Sequence, residues 1–248
     1  MVGATSAERV SRVMSFDRLA PHYRWLEFVL AGNKLQLCRT AFLNHLSDAQ
    51  EILILGEGNG RFLAELGRRG AARARITCVD SSAGMLSLAQ SRIAHVRDRD
   101  MEIEFVHADA LQWEPSRGRT YDAVVTHFFL DCFRPEQLQQ LIAKLSAAAT
   151  GQACWLLADF QIPNRGWRRL RARVIHRLMY VFFRLMTRLP ADSLTSPDPF
   201  LQENGFTLRK RRLSNWNLLH SDLWERCSGR SPNRSPADTD SGIESALN

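Results

Sequence analysis

Four short polar clusters in this chain have residue types and spacings that could do chemistry. The first is Gly56-Glu57-Gly58-Asn59-Gly60, with glycines at alternate positions. Lacking a Cβ, such glycines let the chain turn sharply and let a ligand lie almost on the backbone. The second is Asp80, followed by Ser81, Ser82 and Met85. An acid roughly twenty residues past a glycine turn can take two ribose hydroxyls. The third is Asp109 with Ala110. The fourth is His127 with Asp131. Histidine titrates near neutrality, so His127 and Asp131 are the candidate bases for taking a proton from an acceptor. The plainer alternatives are that His127 only contacts a ligand and that Asp131 only caps the helix after it.

These clusters need elements to hold them on one edge. Ile52 to Leu55 is an aliphatic run short enough for a buried strand. After Gly60, Phe62, Leu63 and Leu66 recur at helical spacing, which predicts a helix over 60–69. Further strands are expected at 75–80, 103–107, 121–127 and 152–159. Helices are expected at 83–95, opened by serine caps, and at 135–148, with Pro135 in its first turn. Alternating strands and helices imply an α/β fold, a mainly parallel sheet with right-handed crossovers. Ligands bind such sheets at the carboxyl ends of the strands, where all four clusters fall. The glycine spacing is not the dinucleotide G-x-G-x-x-G, which would need glycine at Arg61.

The chain has 248 residues, a length for one domain with a lid or two small ones. Its five cysteines, 38, 78, 132, 154 and 227, form no C-x-x-C, and Cys78 and Cys154 fall inside apolar strands. Reduced thiols in a reducing, cytoplasmic compartment are expected. The histidines show no ligand spacing with them, so no metal site is expected. The N-terminus has no apolar signal core, and no run of about 18 apolar residues could span a bilayer.

Taken together, LGEGNG (55–60), VDSSAGML (79–86), HADAL (107–111) and YDAVVTHFFL (121–130) resemble a class I S-adenosylmethionine-dependent methyltransferase. The resemblance covers roughly residues 16–225. The preface F-D-x-x-A-P-x-Y at 16–23 resembles the ubiquinone and menaquinone biosynthesis enzymes, the methyltransferase type 11 group. It implies a Rossmann-like seven-stranded sheet with helices on both faces and S-adenosylmethionine as cofactor. The glycine turn, with Glu57 and Asn59, would lie against the methionine part, and Asp80 would hold the ribose beside Ser81 and Met85. Asp109 would meet the adenine amino group with Ala110 beside it, and His127 would lie near the methionine part. An N-terminal helical cap (15–47), including a helix over 34–46, would bring Tyr23 and Arg39 to the cofactor. One departure is Ile54, where many members carry an acid; Glu57 is the candidate to replace it.

Residues 1–14 read as a flexible leader and 228–248 as a disordered tail; between them, 15–227 read as one methyltransferase domain, with 51–160 as the cofactor-binding core. A helix at 197–204 and strands at 206–213 and 218–225 would close the sheet as a hairpin. Between the fifth strand and these lies the segment 165–190. Trp167, Leu170, Val174, Leu178, Phe182, Leu185 and Leu189 make a helical stripe there, and eight arginines fall in 165–188 with no acid. The net charge is +7, so without that segment the chain would carry −1. The stripe could be a lid over an acceptor, plain core packing, or a face lying on an anionic membrane. With Phe128, Phe129 and Phe133, Trp167 and Phe182 could line an apolar acceptor cavity.

The leading expectation is methyl transfer to a small hydrophobic acceptor. A non-catalytic cofactor-binding or membrane-docking partner is the second reading. A nucleic-acid methyltransferase is the third, disfavoured because THFF stands where an N/D-P-P-Y type motif would be.

Overall fold

Ile52, Leu53, Ile54 and Leu55 are all buried, on both faces of strand β1 (Glu51–Leu55). An aliphatic run without polar alternation needs cover on both sides, as the centre of a parallel sheet provides. In this computed structural model of the chain, the described residues are 33–69, 74–94, 96, 101–161 and 195–226. The leader, Tyr23, the segment 165–190, Cys227 and the tail lie outside them.

Strands β2 (Arg75–Asp80) and β4 (Tyr121–His127) flank β1, both parallel to it. Strand β3 (Glu102–His107) pairs in parallel with β2, and β5 (Ala149–Phe160) with β4. The last two strands, β6 (Phe206–Ser214) and β7 (Leu219–Arg226), form an antiparallel hairpin, and β7 inserts between β5 and β6. The sheet order is β3-β2-β1-β4-β5-β7-β6. It is a seven-stranded, mixed Rossmann-like sheet, parallel except for this antiparallel pair.

Helices α1 (Asn33–Arg39), α2 (Arg61–Arg69) and α3 (Ala83–Ile93) cover one face; α4 (Pro135–Ala147) and α5 (Asp198–Glu203) cover the other. Ile52, Ile54, Cys78 and Val125 pack with Phe62, Leu63 and Leu86 on the first face. Leu53, Leu55, Val124, Trp155 and Trp224 pack with Leu138, Leu141 and Ile142 on the second. Each large apolar side chain buried this way stabilises the fold by about 1.5–3 kcal/mol. The buried Trp155 indole also donates to Thr126 Oγ1 at 2.8 Å, so its N–H is not orphaned.

Ile54, at the position where an acid was looked for, belongs to this core and is 1% exposed. The helix expected over 34–46 is two pieces, α1 and a 3-10 turn at Leu43–Leu46. Thr40 ends the α-helix, its hydroxyl donating back to Gln36 O at 2.9 Å. Helix α1 is pinned to β7 by Cys38. Its thiol reaches Ser221 Oγ at 2.9 Å, and the Ser221 hydroxyl donates to Cys38 O at 2.9 Å. Burial pushes the Cys38 thiol up to about 11, so it stays a donor. This anchor fixes the next residue, Arg39, over the carboxyl ends of the central strands.

Candidate active site

The turn after β1 holds three glycines in the left-handed region, Gly56, Gly58 and Gly60, with φ of 65°, 68° and 79°. Residues with a Cβ adopt this region rarely. Two of the glycines are also packing points. A Cβ on Gly56 would run into the Phe129 ring, and one on Gly60 would stand 2.6 Å from Ala89 Cα of α3. Glu57 turns inward and caps α2: its Oε1 accepts from Phe62 N at 2.9 Å and Leu63 N at 3.1 Å. Burial raises the Glu57 carboxyl to about 7, against the pull of those N–H groups and of Arg39. Asn59 is buried; its Oδ1 accepts from Arg92 at 2.8 Å, while its Nδ2 has no hydrogen-bond partner among the described residues.

Asp80 closes β2 beside this turn. Its carboxylate accepts from Gly58 N at 3.2 Å and Ser82 N at 2.9 Å, which fixes it against the glycines. Ser82, not Ser81, caps α3, accepting from Met85 N at 3.2 Å. Ser81 is half-buried, with its carbonyl 3.1 Å from His107 Nε2, and Met85 is buried in the first turn of α3. One strand further out, Asp109 Oδ1 accepts from Leu111 N at 2.9 Å, and Ala110 is buried beside it. The turns after β1, β2 and β3 therefore bring Gly56, Gly58, Gly60, Asp80 and Asp109 to one rim.

His127 ends β4 on the same rim. It is 7% exposed, its ring meets Phe62 edge-on at 4.6 Å, and its Nδ1 has no partner among the described residues. Burial, with the positive field of Arg39, pushes its pKa down to about 3, so the imidazole is neutral at physiological pH. Arg39 is itself buried and lies over the Phe128 ring, 5.1 Å from its centroid. Phe128 has φ of 53°, a left-handed conformation costly for an aromatic residue. Phe129 and Phe133 stack edge-on at 5.1 Å and belong with the core, whereas Phe128 stands over Phe160 at 5.2 Å. His220 lies elsewhere, on β7, its Nδ1 held by Asp222 at 3.0 Å.

Asp131 sits in a 3-10 turn at Leu130–Cys132, and its N–H donates to Asp159 Oδ2 at 3.2 Å. Asp159, 3% exposed near the end of β5, was not anticipated as a site residue. It is an acid closing an apolar strand, the signal that pointed to Asp80. Burial pushes both carboxyls up, and for Asp159 the neighbouring Asp131 pushes further. The pair therefore holds a proton more tightly than a free carboxyl and titrates as a unit.

The orphaned Nδ atoms of Asn59 and His127, the left-handed glycines and the fixed Asp80 carboxylate make a polar cradle suited to a nucleoside-bearing ligand. Residues 52–150 match the family model for a methyltransferase domain. Among curated proteins the chain is similar to carboxy-S-adenosyl-L-methionine synthase of Nautilia profundicola, 26% identical over 116 residues, 47% of each chain. The match thus spans about half of that relative. Among solved structures it is similar to an O-methyltransferase family protein from Burkholderia thailandensis, with TM-score 0.63 and 14% identity over 85% of this chain and 60% of that one. It is also similar to magnesium protoporphyrin IX methyltransferase from Synechocystis with bound SAH, with TM-score 0.59 and 16% identity over 85% and 96%. At these identities the structural likenesses show the fold.

Proposed function

We infer from this chain, by fold and matched domain a class I S-adenosylmethionine-dependent methyltransferase, that it methylates a small, lipophilic acceptor. The observation that carries the reading is the shared rim. Three left-handed glycines, a main-chain-braced Asp80 and Asp109 stand on successive strand ends, in the order in which a methionine tail, a ribose and an adenine would lie. When bound, S-adenosylmethionine supplies a methyl group on a positively charged sulfur.

The chain's own groups do the rest. The glycine turn lines the methionine end, its backbone open to close approach because no Cβ stands there, while Glu57 holds the first N–H groups of α2. Asp80 takes ribose hydroxyls and Asp109 takes the adenine amino group. Arg39 offers a cation for the amino-acid carboxylate, and neutral His127 offers Nδ1 as a hydrogen-bond partner in the same place. An acceptor bearing an ionisable proton passes it to the Asp131–Asp159 pair, the group beside β4 best able to hold one. His127 suits that task less, because burial, and then Arg39, oppose its protonation. Phe128, packed on Phe160, would exclude water and seat the acceptor. The lipophilic acceptor accords with the SAH-bound neighbour named for a porphyrin substrate.

Calorimetry on the intact protein tests the reading. S-adenosylhomocysteine is expected to bind, and Asp80→Ala to weaken it by about tenfold or more, since hydrogen bonds to a charged group contribute about 1.5–3 kcal/mol. No binding by the wild type would end it. A cytoplasmic protein that meets bilayers through 165–189 is part of the same proposal. Co-sedimentation with anionic vesicles, with and without that segment, decides the point; equal binding would remove the membrane role.

A further inference from the structure

Lys144 lies near the end of α4, far in sequence from the rim motifs, and it is the hub of the loop after β3. Its Nζ donates to Ala110 O at 3.0 Å, Leu111 O at 2.9 Å and Trp113 O at 2.7 Å. An ammonium has three protons, so these carbonyls use its full donor capacity. Its side chain is 16% exposed, and Glu114 approaches only to 3.5 Å from a well-exposed position. The wiring beyond the lysine is specific. The peptide between Ala110 and Leu111 gives its carbonyl to Lys144 and its N–H to Asp109 Oδ1, at 2.9 Å. Ammonium, peptide and carboxylate thus form one polarised line, in which each hydrogen bond strengthens the next. The neighbouring peptide, through Leu111 O, is tied to the same ammonium.

We propose that Lys144 is a specificity-determining positioning residue: through the 110–111 peptide it aims and polarises Asp109, and so sets the preference for a 6-amino purine. This rests on the placement of adenine at Asp109 in the proposed function. A carboxylate accepts from an amino group but has nothing to accept from a 6-oxo group, and the two oxygens would repel. A site built to pair a polar group rejects the analogue that cannot pair. That rejection requires the carboxylate to stay in place, which is the task assigned to Lys144.

The experiment measures Kd by calorimetry for S-adenosylhomocysteine and S-inosylhomocysteine on the full chain, for wild type, Lys144→Met, Lys144→Arg and Asp109→Asn. The wild type is expected to prefer the adenine ligand by roughly tenfold or more. Lys144→Met should cut that ratio at least about threefold, and Lys144→Arg, which keeps a cationic donor, should retain more of it. Lys144→Gln, read alongside, replaces the Met variant if that one does not fold. Parallel weakening of both ligands with the ratio unchanged would mean a purely structural lysine and would overturn the inference. So would a wild type with no purine preference. A wild type that binds neither ligand overturns the proposed function itself. A preference that survives Asp109→Asn moves the adenine elsewhere and removes the basis for both assignments at that loop.

Discussion

Two buried residues at the rim carry opposite pH dependences. Glu57 has its pKa raised to about 7, first by burial. The stability it contributes is fully present below its unfolded value near 4.5 and is lost as pH rises through about 7. His127 has its pKa lowered to about 3, again first by burial. Its contribution is present above its unfolded value near 6.5 and is lost as pH falls below it. Glu57→Gln keeps an acceptor for the α2 N–H groups without a charge to bury. Thermal melts from pH 5 to pH 8 are expected to show the variant gaining on the wild type as pH rises; a constant difference would refute the assignment. His127→Asn should flatten the fall in stability on the acid side of about pH 6.5, read in the same melts.

At the scale of elements, the glycine turn is a joint between two helices and a strand. Gly60 sits where α2 and α3 touch, and the close approach to Ala89 leaves no room for a methyl. Gly60→Ala should cost about 2–4 kcal/mol in urea unfolding, combining overpacking with left-handed strain. The elements around this joint were legible in the sequence because their signals are local. An aliphatic run, alternate glycines and an acid at a set distance all lie within one strand–helix–strand unit. Asp80 stands out in that way, whereas the role of Asp109 and the hairpin that closes the sheet are implied by the family resemblance. What escaped depends on pairing between distant segments. The placing of Asp159 against Asp131 needs the register of β5 on β4 and the fold of the turn between them. The anchoring of Arg39 needs Cys38 to meet Ser221 across the β7 register. Lys144 reads from sequence as a helix-end cation and nothing more. The left-handed Phe128 leaves no trace in composition at all.

Over the whole molecule, burial is graded from the centre of the sheet outward. In β1 and β4 nearly every residue is buried, whereas β3 and β6 at the edges expose much of their length. Amide hydrogen exchange is expected to be slowest in β1 and β4 and fastest in β3 and β6; uniform protection would contradict this gradient. The edge strand β6 carries Arg209, Lys210, Arg211 and Arg212, charges that discourage pairing with another chain. The amino edge of the sheet is tied by a separate web, with Arg75 and Arg119 both bonded to Glu51 at 2.9 and 3.0 Å. The direction of β7 has a practical corollary. Because this strand runs against β5, it starts at the rim that bears Asp159 and finishes at the opposite border, where Arg226 donates to Ser146 O and Ala149 O. A tag, reporter or second module fused after Arg226 would therefore set off from the back of the molecule, leaving the ligand's doorway unobstructed.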